Sequence, residues 1–212
     1  MVELYGTEAL TVELSGSLPQ DTARELTKDG LVLETRENRA VASLLIFRMN
    51  ALRGPLLPIP RFDYWEALWR VGIVWDGRPA WFGCACDLDH PFVAWAGRAL
   101  VRYPVRRASF DSAEAEASCA VTVTASGLSL HLGATCGEPV AAAPPRRLIV
   151  RAHGSLYEIP WEERPASYRR HAEIDVTDSS LAHATFGRGA SFERVGVVHR
   201  GREHRCGLAQ RL

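Results

Sequence analysis

Lysine is nearly absent from this chain. Among its 25 cationic side chains one, Lys28, is a lysine and the others are arginines. Amine chemistry through a Schiff base needs a lysine, so that chemistry has one candidate, on a segment that reads as an exposed helix. Net charge is missing too, because 25 acids balance the 25 cations. Nucleic-acid binders carry a basic face, so neither nucleic acid nor an anionic membrane is an expected partner. No apolar run reaches the roughly 18 residues of a membrane span. The cysteines, Cys84, Cys86, Cys119, Cys136 and Cys206, are odd in number and contain no C-x-x-C pair. The opening Met-Val-Glu-Leu-Tyr lacks the basic and apolar regions of a secretion signal. A cytoplasmic protein with reduced thiols is therefore expected.

The usual cofactor signatures are also lacking. There is no G-x-G-x-x-G after a strand, no P-loop and no G-x-S-x-G. The histidines form no H-x-H or H-E-x-x-H pattern. Cys84-x-Cys86-Asp87-x-Asp89-His90 is the one cluster with metal-binding residue types, and strand alternation would set both cysteines on one face. A zinc site needs four ligands in tetrahedral geometry, and no second cluster supplies the rest. Buried small thiols are the expected reading, with no metal and no cofactor.

What is present is an apolar fraction of 47% over 212 residues, enough for one stable core without staples, read as a single domain over 1–212. Residues 9–14 alternate and read as a strand. Ser17-Leu18-Pro19 opens a helix to about Lys28, with Ser17 as candidate cap and Asp29-Gly30 as its end. A strand follows at 31–36, and the long apolar run at 40–52 reads as a strand rather than a buried helix from its turn-bounded position and its Val, Ile and Phe content. Pro55, Pro58 and Pro60 make 53–61 a loop or an edge. A strand over 62–75 turns at Asp76-Gly77 into another over 80–86. Asp87-Leu88-Asp89-His90 starts a helix carrying Phe92, Trp95, Ala96 and Leu100, in which Gly97 allows close packing. Shorter strands fill 107–110, 117–124, 128–132, 148–152, 155–159, 167–176 and 192–199. Residues 138–147 read as a loop and 179–186 as a helix or loop. The tail from about 200 is expected to be loose. The class is α+β, a mostly antiparallel curled sheet with two or three short helices.

The stretch from Tyr64 to Ser109 carries the chemistry. It holds five of the six tryptophans, an acid within Tyr64-Trp65-Glu66, and the basic segment Arg102-Tyr103-Pro104-Val105-Arg106-Arg107. Its order is Leu18-Pro19-x-Asp21, Tyr64-Trp65-Glu66, Asp76-Gly77, Asp87-Leu88-Asp89, Gly97-Arg98, then Tyr103-Pro104-x-Arg106. This order resembles the acetoacetate decarboxylase superfamily over about residues 9–110. The resemblance implies a cone or barrel of antiparallel strands around a pocket, usually in homo-oligomers. In the decarboxylases the first lysine after the proline forms the Schiff base and the second lowers its pKa. Val105 and Arg106 stand at those positions here. Valine has no nucleophile, and arginine keeps its charge and cannot attack a carbonyl. The helix-end Gly-Arg-Glu reads Gly97-Arg98-Ala99, and the acid of the preceding strand has no match between Ala40 and Leu52.

Glu66 is the candidate catalytic residue, since a carboxyl in an apolar setting has a raised pKa suited to acid–base work. Arg106 is the candidate clamp for a substrate carboxylate, or else a structural partner of Glu66. Tyr64, Tyr103 and Arg98 complete the candidate ligand contacts. The tyrosines also read as core and Arg98 as a cation at a helix end. The expected partner is a small carbonyl or carboxylate compound, acted on without Schiff-base decarboxylation. The alternative is a non-catalytic binder that kept the pocket.

Overall fold

The computed structural model describes residues 3–28, 30–53, 61–142, 144–163 and 168–212. The first half runs β1 (Glu3–Leu18), α1 (Gln20–Thr27), β2 (Val32–Leu33), β3 (Thr35–Arg36), β4 (Arg39–Arg53), β5 (Phe62–Trp75), β6 (Arg78–Leu88) and α2 (Pro91–Ala96). A π-helical turn, Gly97–Val101, extends α2 and leads into β7 (Val105–Arg107). Then come β8 (Ser109–Glu114), β9 (Ser118–Ala125), β10 (Leu128–Pro139), β11 (Leu148–Ala152), β12 (Ser155–Ile159) and β13 (Trp161–Glu163). The chain closes with β14 (Tyr168–Asp178), α3 (Ser180–Phe186), β15 (Ser191–Arg200), β16 (Arg202–Gly207) and β17 (Gln210–Arg211).

All described strands join one curled sheet, antiparallel except where β6 pairs with β7 and with β11. It is an open sheet rather than a closed barrel among the described residues. The α+β class holds. Asp76 and Gly77 both take positive φ, 50° and 71°, and make the tight turn between β5 and β6 that Gly at the second position favours.

Period-2 alternation gives β1, β4 and β5 two different faces. One carries Leu10, Val12, Leu44, Ile46, Ala67 and Trp69 into a core closed by β9, β10, β14, α1 and α3. Trp69 meets Phe186 of α3 edge-on, with ring centroids 5.2 Å apart. The opposite face, called interior below, packs Leu45, Phe47, Met49, Tyr64 and Leu68 against Cys86, Val105 and Val150. No described helix is long and apolar enough to cross a membrane.

Several expectations need correction. Asp87 does not begin a helix: β6 continues through Leu88, and His90 caps α2 instead, with Pro91 in its first turn. Ser17 is not the cap of α1, whose N-cap is Pro19 with no side-chain bond. The tail is not loose: β16 pairs with β1 and β13, and Cys206 is buried. Phe92 and Trp95 are exposed, 43% and 59%, because α2 turns them away from the sheet. The register of β5 and β6 slips between Trp69 and Arg70, so Cys84 and Cys86 leave the common face that alternation assigned them. The proline segment lies outside the described residues.

Candidate functional site

Register across the sheet assembles the interior face. Arg169 of β14 stands opposite His199 of β15, His199 opposite Thr11 of β1, and Thr11 opposite Phe47 of β4. Phe47 stands opposite Glu66 of β5, and Glu66 opposite Leu88 of β6. The next row runs His171, Val197, Glu13, Leu45, Leu68, Cys86 and Val105. Directly opposed residues share a face, so one surface carries an acid-and-tyrosine end and an arginine-and-histidine end.

At the first end Glu66, Tyr64, Tyr103 and Cys86 are buried together. The Cys86 thiol hydrogen-bonds the Glu66 carboxyl. Glu66 Oε1 and the Tyr103 hydroxyl have no hydrogen-bond partner among the described residues. Burial pushes the Glu66 carboxyl up to about 8, with the charge of Glu8 adding to the rise. The group therefore holds its proton at neutral pH. Burial, and next the charge of Glu66, also raise both tyrosines. Val105 packs in this cluster beside Cys86.

At the other end a cleft of about 670 Å³ opens between β1, β4, β5, β14 and β15. That volume suits a small molecule. Leu45, Leu68, Trp81, Leu148 and Trp161 form its apolar side. Leu68 follows Glu66 on the same face of β5, but Glu66 itself is not among the residues that line the cleft. Arg70 sets the floor, donating to Glu13 at 2.8 Å and to the Ser43 hydroxyl at 2.7 Å. Its guanidinium and that of Arg146 each lie 4.6 Å from the Trp81 ring centroid. Burial alone would raise the Glu13 carboxyl, but Arg70 and His199 hold it below its ordinary value. Deeper still, Glu8 accepts from Thr11 at 2.5 Å and from Arg202 at 2.9 Å.

His199 is 1% exposed, and neither ring nitrogen has a hydrogen-bond partner among the described residues. Burial, helped by Arg202, lowers its pKa from 6.5 to about 4. A depressed value means the unfolded chain takes up a proton that the folded chain refuses. Stability from this residue is thus complete above pH 6.5 and is lost as the pH falls towards 4. Urea midpoints between pH 7 and 4 are expected to fall less steeply for His199→Gln than for the wild type. Equal slopes would mean that the ring is solvated.

The structure separates residues that the sequence placed together. Arg106 does not face Glu66. It alternates away from Val105 into the helix-covered core, where Nε and Nη2 donate to Asp87 at 2.7 and 2.8 Å and Nη2 reaches the Thr185 hydroxyl at 2.9 Å. Arg98 is exposed on the π-helical turn and donates to the Val105 carbonyl at 3.2 and 2.9 Å, tying that turn to β7. Lys28 ends α1 in an exposed left-handed position, with φ of 56°. Tyr64 and Tyr103 do gather around Glu66. Sequence reasoning missed Glu13, Arg70, Arg169, His199 and Arg202. The available signal was polar residues at alternate strand positions, as in Leu10-Thr11-Val12-Glu13-Leu14, but a solvent-facing strand shows the same pattern. No cluster suited to a metal occurs among the described residues.

No protein-family model and no curated protein matches the chain. Solved structures do. The enduracididine biosynthesis enzyme MppR, complexed with the condensation product of pyruvate and imidazole 4-carboxaldehyde, superposes with a TM-score of 0.73 at 14% identity, covering 99% of this chain and 88% of that one. Acetoacetate decarboxylase from Legionella pneumophila gives 0.74 at 12%, covering 98% and 86%. An acetoacetate decarboxylase-like enzyme from Sphingomonas wittichii RW1 gives 0.67 at 16%, covering 100% and 92%.

Proposed function

Since this chain has the acetoacetate decarboxylase-like fold, we propose that it binds a small carbonyl or carboxylate compound in the interior cleft and acts on it without a lysine Schiff base. The observation that carries this reading is the interior register: the cleft and the protonated Glu66 share one face, and Val105 occupies the place beside Cys86. A neutral carboxyl at physiological pH is a proton donor, and desolvation gives that proton transfer weight. MppR has been captured with pyruvate, which makes 2-oxo acids the first ligands to try. Lys28, exposed at the end of α1, is remote from both rows.

Borohydride trapping with acetoacetate or pyruvate is expected to leave the chain without a covalent adduct, read by intact mass. An adduct at any amine other than the N-terminus would overturn the proposal. If Glu66 is the acid, Glu66→Gln loses turnover while its fold is kept.

A second reading, a binder without turnover, is favoured by the absence of Glu66 from the residues that line the cleft. Melting shifts without product across the same carbonyl compounds would select it.

A further inference from the structure

We propose that Arg169 is the anion anchor of the cleft, seating a small oxyanion, in the first place a carboxylate, with His199 as the hydrogen-bonding group beside it. The inference rests on the cleft being the ligand site and names the chemistry that the ligand must bring.

Six arginines line the cleft, Arg36, Arg39, Arg70, Arg146, Arg169 and Arg202, against three glutamates, Glu13, Glu37 and Glu193. With Glu34 and Glu8, which pair with Arg146 and Arg202, the acids number five, so one positive charge is left over to draw an anion in. Five of the six are committed elsewhere. Arg70 holds Glu13, Arg146 holds Glu34 and Arg202 holds Glu8. Arg36 lies 3.7 Å from Glu34. Arg39 donates to Ser17 and to the Gly189 carbonyl. The Arg169 backbone is held in the sheet and accepts from the Val140 N–H, but its side chain makes no hydrogen bond or ion pair among the described residues, and its Nε is buried. A guanidinium in this position offers a planar fork that matches a carboxylate with two parallel bonds.

His199 strengthens the assignment. It stands directly opposite Arg169 on the interior face, while Ala172 and Val198 of the same strands alternate into the other core. It does not itself line the cleft and is almost fully buried, yet both ring nitrogens lack a partner among the described residues. An imidazole kept neutral by burial gives one hydrogen bond and takes another, which suits the hydroxyl or carbonyl oxygen adjoining a carboxylate. The Glu13 carboxylate lies 4.0 Å from Nε2, beyond hydrogen-bond reach. The apolar wall formed by Leu45, Leu68 and Trp81 leaves room for a short hydrocarbon body.

The test is calorimetric titration of the full chain with pyruvate and, separately, with inorganic phosphate. Arg169→Gln is expected to weaken pyruvate binding at least tenfold, and His199→Gln several-fold, while Arg188→Gln on an exposed loop changes nothing. Phenylglyoxal labelling read by peptide mass gives a check that needs no variant: Arg169 is modified in the free chain and protected by pyruvate. A folded Arg169→Gln that binds pyruvate within threefold of the wild type, or equal labelling with and without pyruvate, removes the anchor and leaves the cleft reading standing. Arg169-dependent binding of phosphate but not pyruvate keeps the anchor and removes the carbonyl ligand. Binding of neither removes both.

Discussion

Replacing Glu66 by glutamine is expected to make the folded chain markedly more resistant to urea at pH 9 than the wild type, with the two nearly equal around pH 4.5. The Glu66 carboxyl is buried and its pKa is raised from 4.5 to about 8. Folding therefore holds a proton that the unfolded chain releases. With a raised folded value, the contribution of this group is fully present below pH 4.5 and is lost as the pH rises through about 8. Each pH unit between the two values costs about 1.4 kcal/mol, so the whole window amounts to ~3–5 kcal/mol once water entry softens the upper end. Glutamine keeps the size and a hydrogen-bonding oxygen for the Cys86 thiol and does not titrate. The difference between variant and wild type should therefore open steadily from pH 5 to 9 and level off beyond. A difference that stays flat across this range would show that Glu66 ionises as an exposed acid, and would also remove its role as a proton donor.

Asp87→Ala is expected to cost about 3 kcal/mol, most of it from stranding its partners. Asp87 is fully buried and accepts three hydrogen bonds, two from Arg106 and one from Trp69 Nε1 at 2.6 Å. Through Arg106 it also reaches Thr185, so one carboxylate joins β5, β6, β7 and α3. Without it the indole N–H is left buried and the guanidinium loses its counter-ion. The Arg106 side chain is 36% exposed, which lets water offset part of the loss and argues against a larger figure. The paired change Asp87→Leu with Arg106→Met should cost less than Asp87→Ala alone, because no charge is stranded. Urea midpoints of the three variants decide this, and a double variant worse than the single one would refute the pairing. Ligand binding in the cleft should survive, since Asp87 and Arg106 lie on the other face of the sheet.

Much of the fold was legible in the residues because strand alternation and turn chemistry are local. The strand over 62–75 and the turns at Asp76-Gly77 and Ser126-Gly127 came out as read. Helix starts were harder. Asp87 and Asp89 look like acids placed for a helix dipole, but Asp87 belongs to a strand, held there by a partner 19 residues away. The tail looked polar and loose because Arg202 and Cys206 find their partners, Glu8 and Leu4, about two hundred residues earlier.

By itself the sequence determined the α+β class, the apolar strand that carries Tyr64 and Glu66, and the lack of a nucleophilic side chain at Val105. These follow from residue types and a period of two. Only the tertiary structure decided which side chains face one another. It turned Arg106 towards Asp87 instead of Glu66, and it brought Glu13 and Arg169 into the cleft, with His199 opposite Arg169, through pairings between strands far apart in the chain. One residue of register moves a side chain to the opposite face, and that register is set by long-range packing that no local pattern records.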